Sequence, residues 1–243
     1  MTRRPPTTAA LTAALTAAAL TALALAPVAR VGAQVGYPTS QSPFEDLEYR
    51  QSLTLYSGYF RAASDRAAVA PQGGPLIGAR YDISLAGPAT FTARLGTVLS
   101  ERTVLDPARS AGRRVLGTER RPIGLLDVGI TLGLTGQKSW RGFVPTVLGG
   151  AGLASNFAGE DPGGFKFGTR FAIAYGAGLQ YVPRGSAWSV RADVGSHLYQ
   201  IRYPDRYFTA GLDSTSILPS GASKSSWTNN LGATLGISRQ FFR

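Results

Sequence analysis

The sequence predicts an all-β fold: a closed antiparallel up-and-down transmembrane β-barrel of eight strands, with ten as the alternative, behind a cleaved signal peptide. Three observations predict it. The first is alternation. From Phe167 to Tyr181 every second residue is Phe, Thr, Phe, Ile, Tyr, Ala, Leu and Tyr. Between them lie Gly168, Arg170, Ala172, Ala174, Gly176, Gly178 and Gln180. A period of two is the signature of a strand. The second is length. Runs of about 12 residues exceed the ~5–6 usual in soluble sheets and suit a tilted strand crossing a bilayer, which needs ~9–11. The third is the order of the connections, which alternate long and short along the chain.

Residues 1–33 read as a secretory signal. Arg3 and Arg4 supply the positive start, Ala9 to Ala26 is an uncharged Ala/Leu/Thr core, and Val31-Gly32-Ala33 precedes the expected cut. Residues 34–47 form a polar leader with two prolines, expected in the periplasm, and residues 48–243 are the barrel domain. Cysteine is absent, which excludes disulfides, thiolate metal sites and a Cys nucleophile. The net charge of +11 is basic. The arginines are dispersed along strands and loops of an exported chain, however, so nucleic acid is not an expected partner.

The strands follow in order. The first, 48–60, sets Tyr49, Leu53, Leu55 and Tyr59 against Arg50, Ser52, Thr54, Tyr56 and Gly58. After a loop at 61–74, the second sets Ile77, Ala79, Tyr81, Ile83 and Leu85 against Gly78, Arg80, Asp82 and Ser84. A tight turn at 86–88 leads to the third, with Phe91, Ala93, Leu95, Thr97 and Leu99 opposite Thr90, Thr92, Arg94 and Gly96. Residues 101–121 read as a long Arg-rich loop. The fourth strand sets Leu126, Val128, Ile130, Leu132 and Leu134 against Asp127, Gly129, Thr131 and Gly133. A short turn at 136–139 precedes the fifth, 140–155, whose poor alternation assigns no faces. A Gly/Asp/Pro loop at 156–166 separates it from the sixth, 167–181. The seventh, from 188, sets Trp188, Val190, Ala192, Val194, Ser196 and Leu198 against Ser189, Arg191, Asp193, Gly195, His197 and Tyr199. The loop at 201–226 is the longest. The eighth sets Trp227, Leu231, Ala233, Leu235, Ile237 and Phe241 against Thr228, Asn230, Thr234, Ser238 and Gln240. Aromatics near strand ends fit two interfacial girdles, and closure satisfies every backbone group, as lipid demands.

Phe143-Val-Pro-Thr-Val-Leu-Gly-Gly-Ala-Gly-Leu153, Gly176-Ala-Gly-Leu-Gln-Tyr181, Trp188-Ser-Val-Arg-Ala-Asp193 and Gly236-Ile-Ser-Arg-Gln-Phe-Phe-Arg243 resemble the small outer-membrane β-barrel domain family, the OmpA/OmpX-like and OmpW-like proteins. The resemblance covers nearly all of the chain after the signal. It implies an integral protein of the bacterial outer membrane, with lipids and lipopolysaccharide as surroundings. It also implies an assembly signal at Phe241 and Phe242, read by the barrel-assembly machinery.

The expected inward faces hold Arg50, Arg80, Arg94, Arg170 and Arg191 with Asp82, Asp127, Asp193 and His197. Eight strands leave a lumen that side chains fill, and buried charges must be paired. The interior is therefore expected to be a polar, ion-paired network, the alternative being a narrow channel for small solutes. Asp161, in a loop, is expected to lie in solvent. His197 is the only histidine. Ser196 beside it points to the opposite face and Asp193 lies ~13 Å along the strand, so no local Ser/His/acid site forms. A lipid-A-modifying acyl hydrolase or transferase is the second alternative, and no catalytic residue, metal site or cofactor is expected. Glu160 and Asp161 are too few for more than a weak Ca²⁺ contact. In loop 101–121, Arg109, Arg113, Arg114, Arg120 and Arg121 form a candidate anion-binding set, since guanidinium suits phosphate. The expected role is structural or surface-interactive, with an extracellular ligand reaching the long loops, of which 101–121 and 201–226 are expected to be the protease-sensitive sites.

Overall fold

The computed structural model describes residues 42–156 and 159–242. The expected signal and most of the leader lie outside the described residues. Among the described residues twelve strands form: β1 (Phe44–Asp46), β2 (Gln51–Arg61), β3 (Gly74–Ser84), β4 (Ala89–Val98), β5 (Glu101–Leu105), β6 (Val115–Arg120), β7 (Ile123–Gly133), β8 (Lys138–Trp140), β9 (Phe143–Asn156), β10 (Gly168–Tyr181), β11 (Trp188–Arg202) and β12 (Ser225–Phe241).

Eight of them close a barrel, in the order β2-β3-β4-β7-β9-β10-β11-β12, with β12 returning to β2 and β7 pairing β9, every neighbour antiparallel. Closure between β2 and β12 runs from Leu231↔Arg61 to Phe241↔Gln51. The wall strands have 10 to 17 residues, so each can cross a bilayer core. Tight connections and both described chain ends gather at one end, long connections at the other.

The faces follow the pleat. Leu55, Leu95, Val128, Phe171, Leu179, Val190, Leu235 and Ile237 stand exposed on the outside. Inside lie Thr54, Arg80, Asp82, Thr92, Asp127, Thr131, Thr146, Arg191, His197 and Ser238, all buried. An apolar outer band around a polar interior, with no free edge in the wall, is the architecture of a transmembrane barrel. Tyr181 and Trp188 mark the short-turn rim and Tyr59 and Trp227 the long-loop rim, all exposed. The Arg239 guanidinium lies over the Trp188 ring, 5.3 Å from its centroid, a cation–π contact at the short-turn rim. Boiled and unboiled samples should therefore migrate differently on gels, and identical mobility would contradict a closed barrel.

Four boundaries differ from the sequence reading. The leader is not wholly irregular, since β1 pairs with β8 in the register Phe44↔Trp140 to Asp46↔Lys138. The turn after β7 thus grows into a small ribbon beyond the barrel rim. Trp140 belongs to that ribbon rather than to the fifth wall strand, because Arg141 and Gly142 turn the chain at φ 51° and 84°. Loop 101–121 is a two-stranded ribbon, with Glu101↔Arg120 and Arg102↔Glu119 opposed. Phe167 does not continue the outward face of β10. Gly168 takes φ +63°, a conformation natural only to glycine, and the turn sends Phe167 inward, edge-on to Tyr199 with centroids 5.5 Å apart.

The faces of β9, unreadable from its sequence, are set by register. Gly129 faces Gly150, and Asp127 faces Gly152. Gly150 and Gly152 point inward where the walls approach closely: a Cβ on Gly152 would strike Leu126 O and lie 2.6 Å from Asp127 Oδ1. Alternation fails there because the lumen has no room for side chains at those positions.

Candidate functional site

The lumen has three storeys. At the short-turn end is a polar cup of about 770 Å³, lined by Ser52, Thr90, Ser139, Gln180 and Gln240 among others. Arg80 and Arg191 form its floor. Arg80 Nε donates to both oxygens of Asp82, at 3.0 and 2.8 Å, and its NH2 donates to Thr92 Oγ1 at 3.2 Å and Thr131 Oγ1 at 2.8 Å. Arg191 Nε donates to both oxygens of Asp193, at 2.9 and 2.8 Å, and its NH2 donates to Thr146 Oγ1 at 2.9 Å. The two halves meet where Arg80 NH1 lies 3.8 Å from Asp193.

The middle storey holds Arg94, Asp127 and His197. Arg94 is directly opposite Asp127 on the next strand and pairs with it at 3.3 Å. It is also directly opposite Arg80, a like-charge pair that would repel. The conflict is resolved by direction: Arg80 reaches toward Asp82 and Arg94 toward Asp127. His197 Nε2 contacts the same Asp127 oxygen from across the lumen at 2.9 Å. Tyr56 lies flat over Gly78 and Gly96 and donates to Leu95 O at 3.2 Å.

The long-loop storey is apolar. Phe60, Leu76, Val98, Ile123, Leu125, Ala154, Ala172, Tyr199 and Ile201 point inward and pack with Val69, Phe165, Phe167, Tyr207 and Leu218 from the loops. This plug was missed by the sequence reading, which expected a polar filling throughout. The signal was present: Leu76-Ile77, Val98-Leu99 and Leu125-Leu126 are consecutive apolar pairs at the long-loop ends of three strands, where both faces turn apolar.

Two inward candidates stand apart. Arg50 precedes the first paired residue, Gln51, and is exposed at the cup's mouth, outside the central network. Arg170 is half-buried near the long-loop end, donates to Lys166 O at 3.2 Å, and is in no ion pair among the described residues. Phe241 pairs with Gln51 at the end of β12, stacks on Tyr81 and meets Phe242 edge-on, so both aromatics of the expected assembly signal sit at the short-turn rim. Ser196 is on the outward face. His197 therefore has a carboxylate but no serine beside it.

The loops are a packed cap, not free ends. Arg102 is buried and paired with Asp161, whose side chain is only 1% exposed. Asp161 also accepts from Phe165 N at 2.7 Å. The expectation of a solvated Asp161 is overturned, because the carboxylate staples β5 to the loop after β9, and this also occupies the weak Ca²⁺ contact. Asp161→Ala should accordingly lower the midpoint of thermal unfolding about as much as Asp193→Ala, measured on the refolded barrel.

The arginine set is likewise divided. Arg114 is buried, with NH2 on Asp213 at 3.1 Å and on Thr215 O at 2.6 Å. Arg109 pairs with Asp106, Arg120 with Glu101 and Arg121 with Glu119. Arg109, Arg113 and Arg120 are exposed, Arg120 with 91% of its side chain in solvent. The Ala111 N–H, followed by the Thr215 hydroxyl, holds the Asp213 carboxyl down at about 2. A depressed carboxyl stabilises the fold above its ordinary value of about 4 and ceases to do so as pH falls through its folded value. The junction between residues 108–115 and 211–215 should loosen between about pH 4 and pH 2, read as hydrogen exchange there that gains protection above about pH 4 in the unmodified protein relative to Asp213→Asn and loses that advantage by about pH 2.

No protein-family model matches the chain, and no curated protein matches it. Among solved structures, the chain is similar to the outer membrane protein OprG from Pseudomonas aeruginosa (13% identity, TM-score 0.45, 81% of this chain and 98% of that one). It is also similar to a major outer membrane protein from Thermus thermophilus (11% identity, TM-score 0.39, 79% and 99%) and to the outer membrane protein Ail of Yersinia pestis (14% identity, TM-score 0.35, 78% and 99%). The fold stands on the strand register and the division of faces described above.

Proposed function

We propose that this chain is an integral outer-membrane barrel with a structural or surface-interaction role, which presents a firm loop cap outside and an inert lumen within. The observation that carries this reading is the double closure of the lumen. An ion-paired layer, with Arg80 only 2% exposed, lies beneath an apolar plug in which Phe60, Val69 and Ile123 have no exposure at all. Buried side chains packed across the bore support a closed lumen. The cap offers exposed Leu212, Val115 and Leu116 beside Arg113 and Arg120. With the exposed Arg109, those arginines are the part of the original set able to meet lipopolysaccharide phosphates or an extracellular polyanion, because Arg114 is committed to Asp213 and Thr215. The barrel-assembly machinery is a partner through the Phe241–Phe242 rim.

The cup favours a second reading, a narrow channel, since it is the wide half of a pore. It ends blindly at Arg80 and Arg191. An acyl hydrolase or transferase would need a nucleophile beside His197, which faces Asp127 and the Phe60 ring, centroids 5.9 Å apart. Planar-bilayer recording of the refolded protein, with an acyl-release assay on the same sample, tests all three. The expected result is no stepwise conductance and no release. Discrete steps would establish the channel, and released acyl chains that disappear in His197→Ala would establish the enzyme.

A further inference from the structure

The ribbon of β5 and β6 has two edges, and the chain covers only one of them. Arg121 N donates to Ser100 O opposite it at 2.9 Å, and Asp106 N donates to Arg114 O at 2.8 Å. Bonded and non-bonded pairs alternate along an antiparallel ladder, so Arg102 with Glu119 and Val104 with Gly117 are the bonded pairs. In Glu101↔Arg120 and Thr103↔Thr118 the backbone groups therefore turn away from the partner strand. On the β5 side they are met: Gln72 N donates to Glu101 O at 2.7 Å, and Gly163 packs on Leu105 O. On the β6 side no described residue bonds the backbone of Thr118 or Arg120. Every residue of β6, from Val115 to Arg120, is exposed.

Thr118 and Arg120 each present an N–H and a carbonyl along this outer edge, two residues or ~6.8 Å apart. That is the template on which an extended chain adds to a sheet. The register shift lies toward the tip of the ribbon, between Val104 and Leu105, and leaves Gly117 to Arg120 regularly paired. Charge selects the occupant. Residues 101–121 hold six arginines against three acids, and the excess stays positive after Asp161 and Asp213 offset Arg102 and Arg114. Arg113 is exposed and in no ion pair among the described residues. Arg120 reaches Glu101 only at 3.6 Å. A second copy of the ribbon would set like charge against like, whereas an acidic segment complements it.

We propose that the outer edge of β6 is a docking site for an extended, acidic peptide segment of an extracellular protein, which adds to the ribbon as a third strand. The site rests on the reading of the loop cap as an interaction surface and gives the partner's class. Backbone hydrogen bonds to Thr118 and Arg120 hold the segment, and its carboxylates answer the positive excess of the ribbon.

The probe is a synthetic peptide of alternating glutamate and valine, added to ¹⁵N-labelled protein refolded in micelles. At a peptide concentration about ten times Kd, amide exchange at Thr118 and Arg120 should slow about tenfold, by the factor 1 + [L]/Kd. The same peptide N-methylated at every residue keeps its charge but cannot pair, and should leave both amides unchanged. Thr118→Pro removes an N–H that the ribbon does not use, and should weaken peptide binding while the heat-modifiable gel shift persists. A serine–valine peptide should bind more weakly than the glutamate one. No slowing by the first peptide, or equal binding of the N-methylated one, would overturn the docking site. Equal binding of the serine–valine peptide would overturn the acidic partner. Protection of both amides before any peptide is added, with dimers in the micelle, would assign the edge to a second copy instead. Were the proline to loosen the ribbon, the N-methylated peptide still decides. None of these readouts depends on conductance or acyl release, so failure of the docking site and failure of the closed-lumen reading are told apart.

Discussion

Arg80→Met should cost about 3–5 kcal/mol of unfolding free energy, the range for breaking a buried ion pair from one side. Methionine keeps much of the stem's volume and removes the charge. Asp82, itself 8% exposed, would keep only the Thr92 hydroxyl, which donates at 2.6 Å. Thr131 would lose the NH2 donor and Asp193 a distant positive charge. The penalty is the stranded carboxylate more than the lost bond, since a buried ion pair can be replaced whole at little cost. The double variant Arg80→Met/Asp82→Leu should therefore recover most of the loss. Urea unfolding of the refolded barrel, followed by tryptophan fluorescence, measures both. A loss of less than about 1 kcal/mol, the value of a solvated pair, would mean that water reaches Arg80 from above as well as from the cup. The channel reading would then gain.

Gly152→Ala and Gly149→Ala should behave oppositely although they lie three residues apart on β9. At Gly152 a methyl group would meet Leu126 O, Asp127 Cα at 2.8 Å and Asp127 Oδ1 at 2.6 Å. Two of those atoms are backbone of the neighbouring wall strand and cannot step aside. The third is the carboxylate that collects Arg94 and His197. Overpacking of this kind costs about 1–3 kcal/mol and at times more, and here it should also delay appearance of the folded, fast-migrating gel band. At Gly149 nothing lies within 4 Å. Alanine there should be neutral or stabilise by about 0.4–1 kcal/mol, because it narrows the unfolded ensemble. Equal effects from the two substitutions would mean that the register of β7 against β9 is not Asp127↔Gly152.

Much of the fold was legible because a strand writes its faces locally. Leu53 and Leu55 against Ser52 and Thr54, or Val190 and Val194 against Arg191 and Asp193, need no neighbour to be read. Arg80 and Asp82, two apart on one face, could be seen as potential partners from parity alone. The rest was obscured where local pattern and tertiary demand part company. In β9, Gly150 and Gly152 carry no side chain to alternate, because the space is taken by the facing strand. Phe167 keeps parity with Phe171 in the sequence yet points the other way, because one glycine backbone angle intervenes. Arg102 and Asp161 read as loop charges and are buried, because two loops distant in sequence close over each other.

By itself, the sequence determined the parity of each well-alternating strand, the up-and-down order and the apolar band that lipid requires. These are properties of residues at spacing two and of the lengths between them, and they hold whatever the register. Only the tertiary structure decided what meets across the bore: Asp127 with His197, 70 residues apart, Arg80 with Asp193, and the inner apolar faces with Phe165, Tyr207 and Leu218 of the loops. The physical reason is that the pleat says which way a side chain points but not at what height. Height is set by the hydrogen-bonded register of every strand around the closed wall, and a lumen this narrow turns that register directly into contacts.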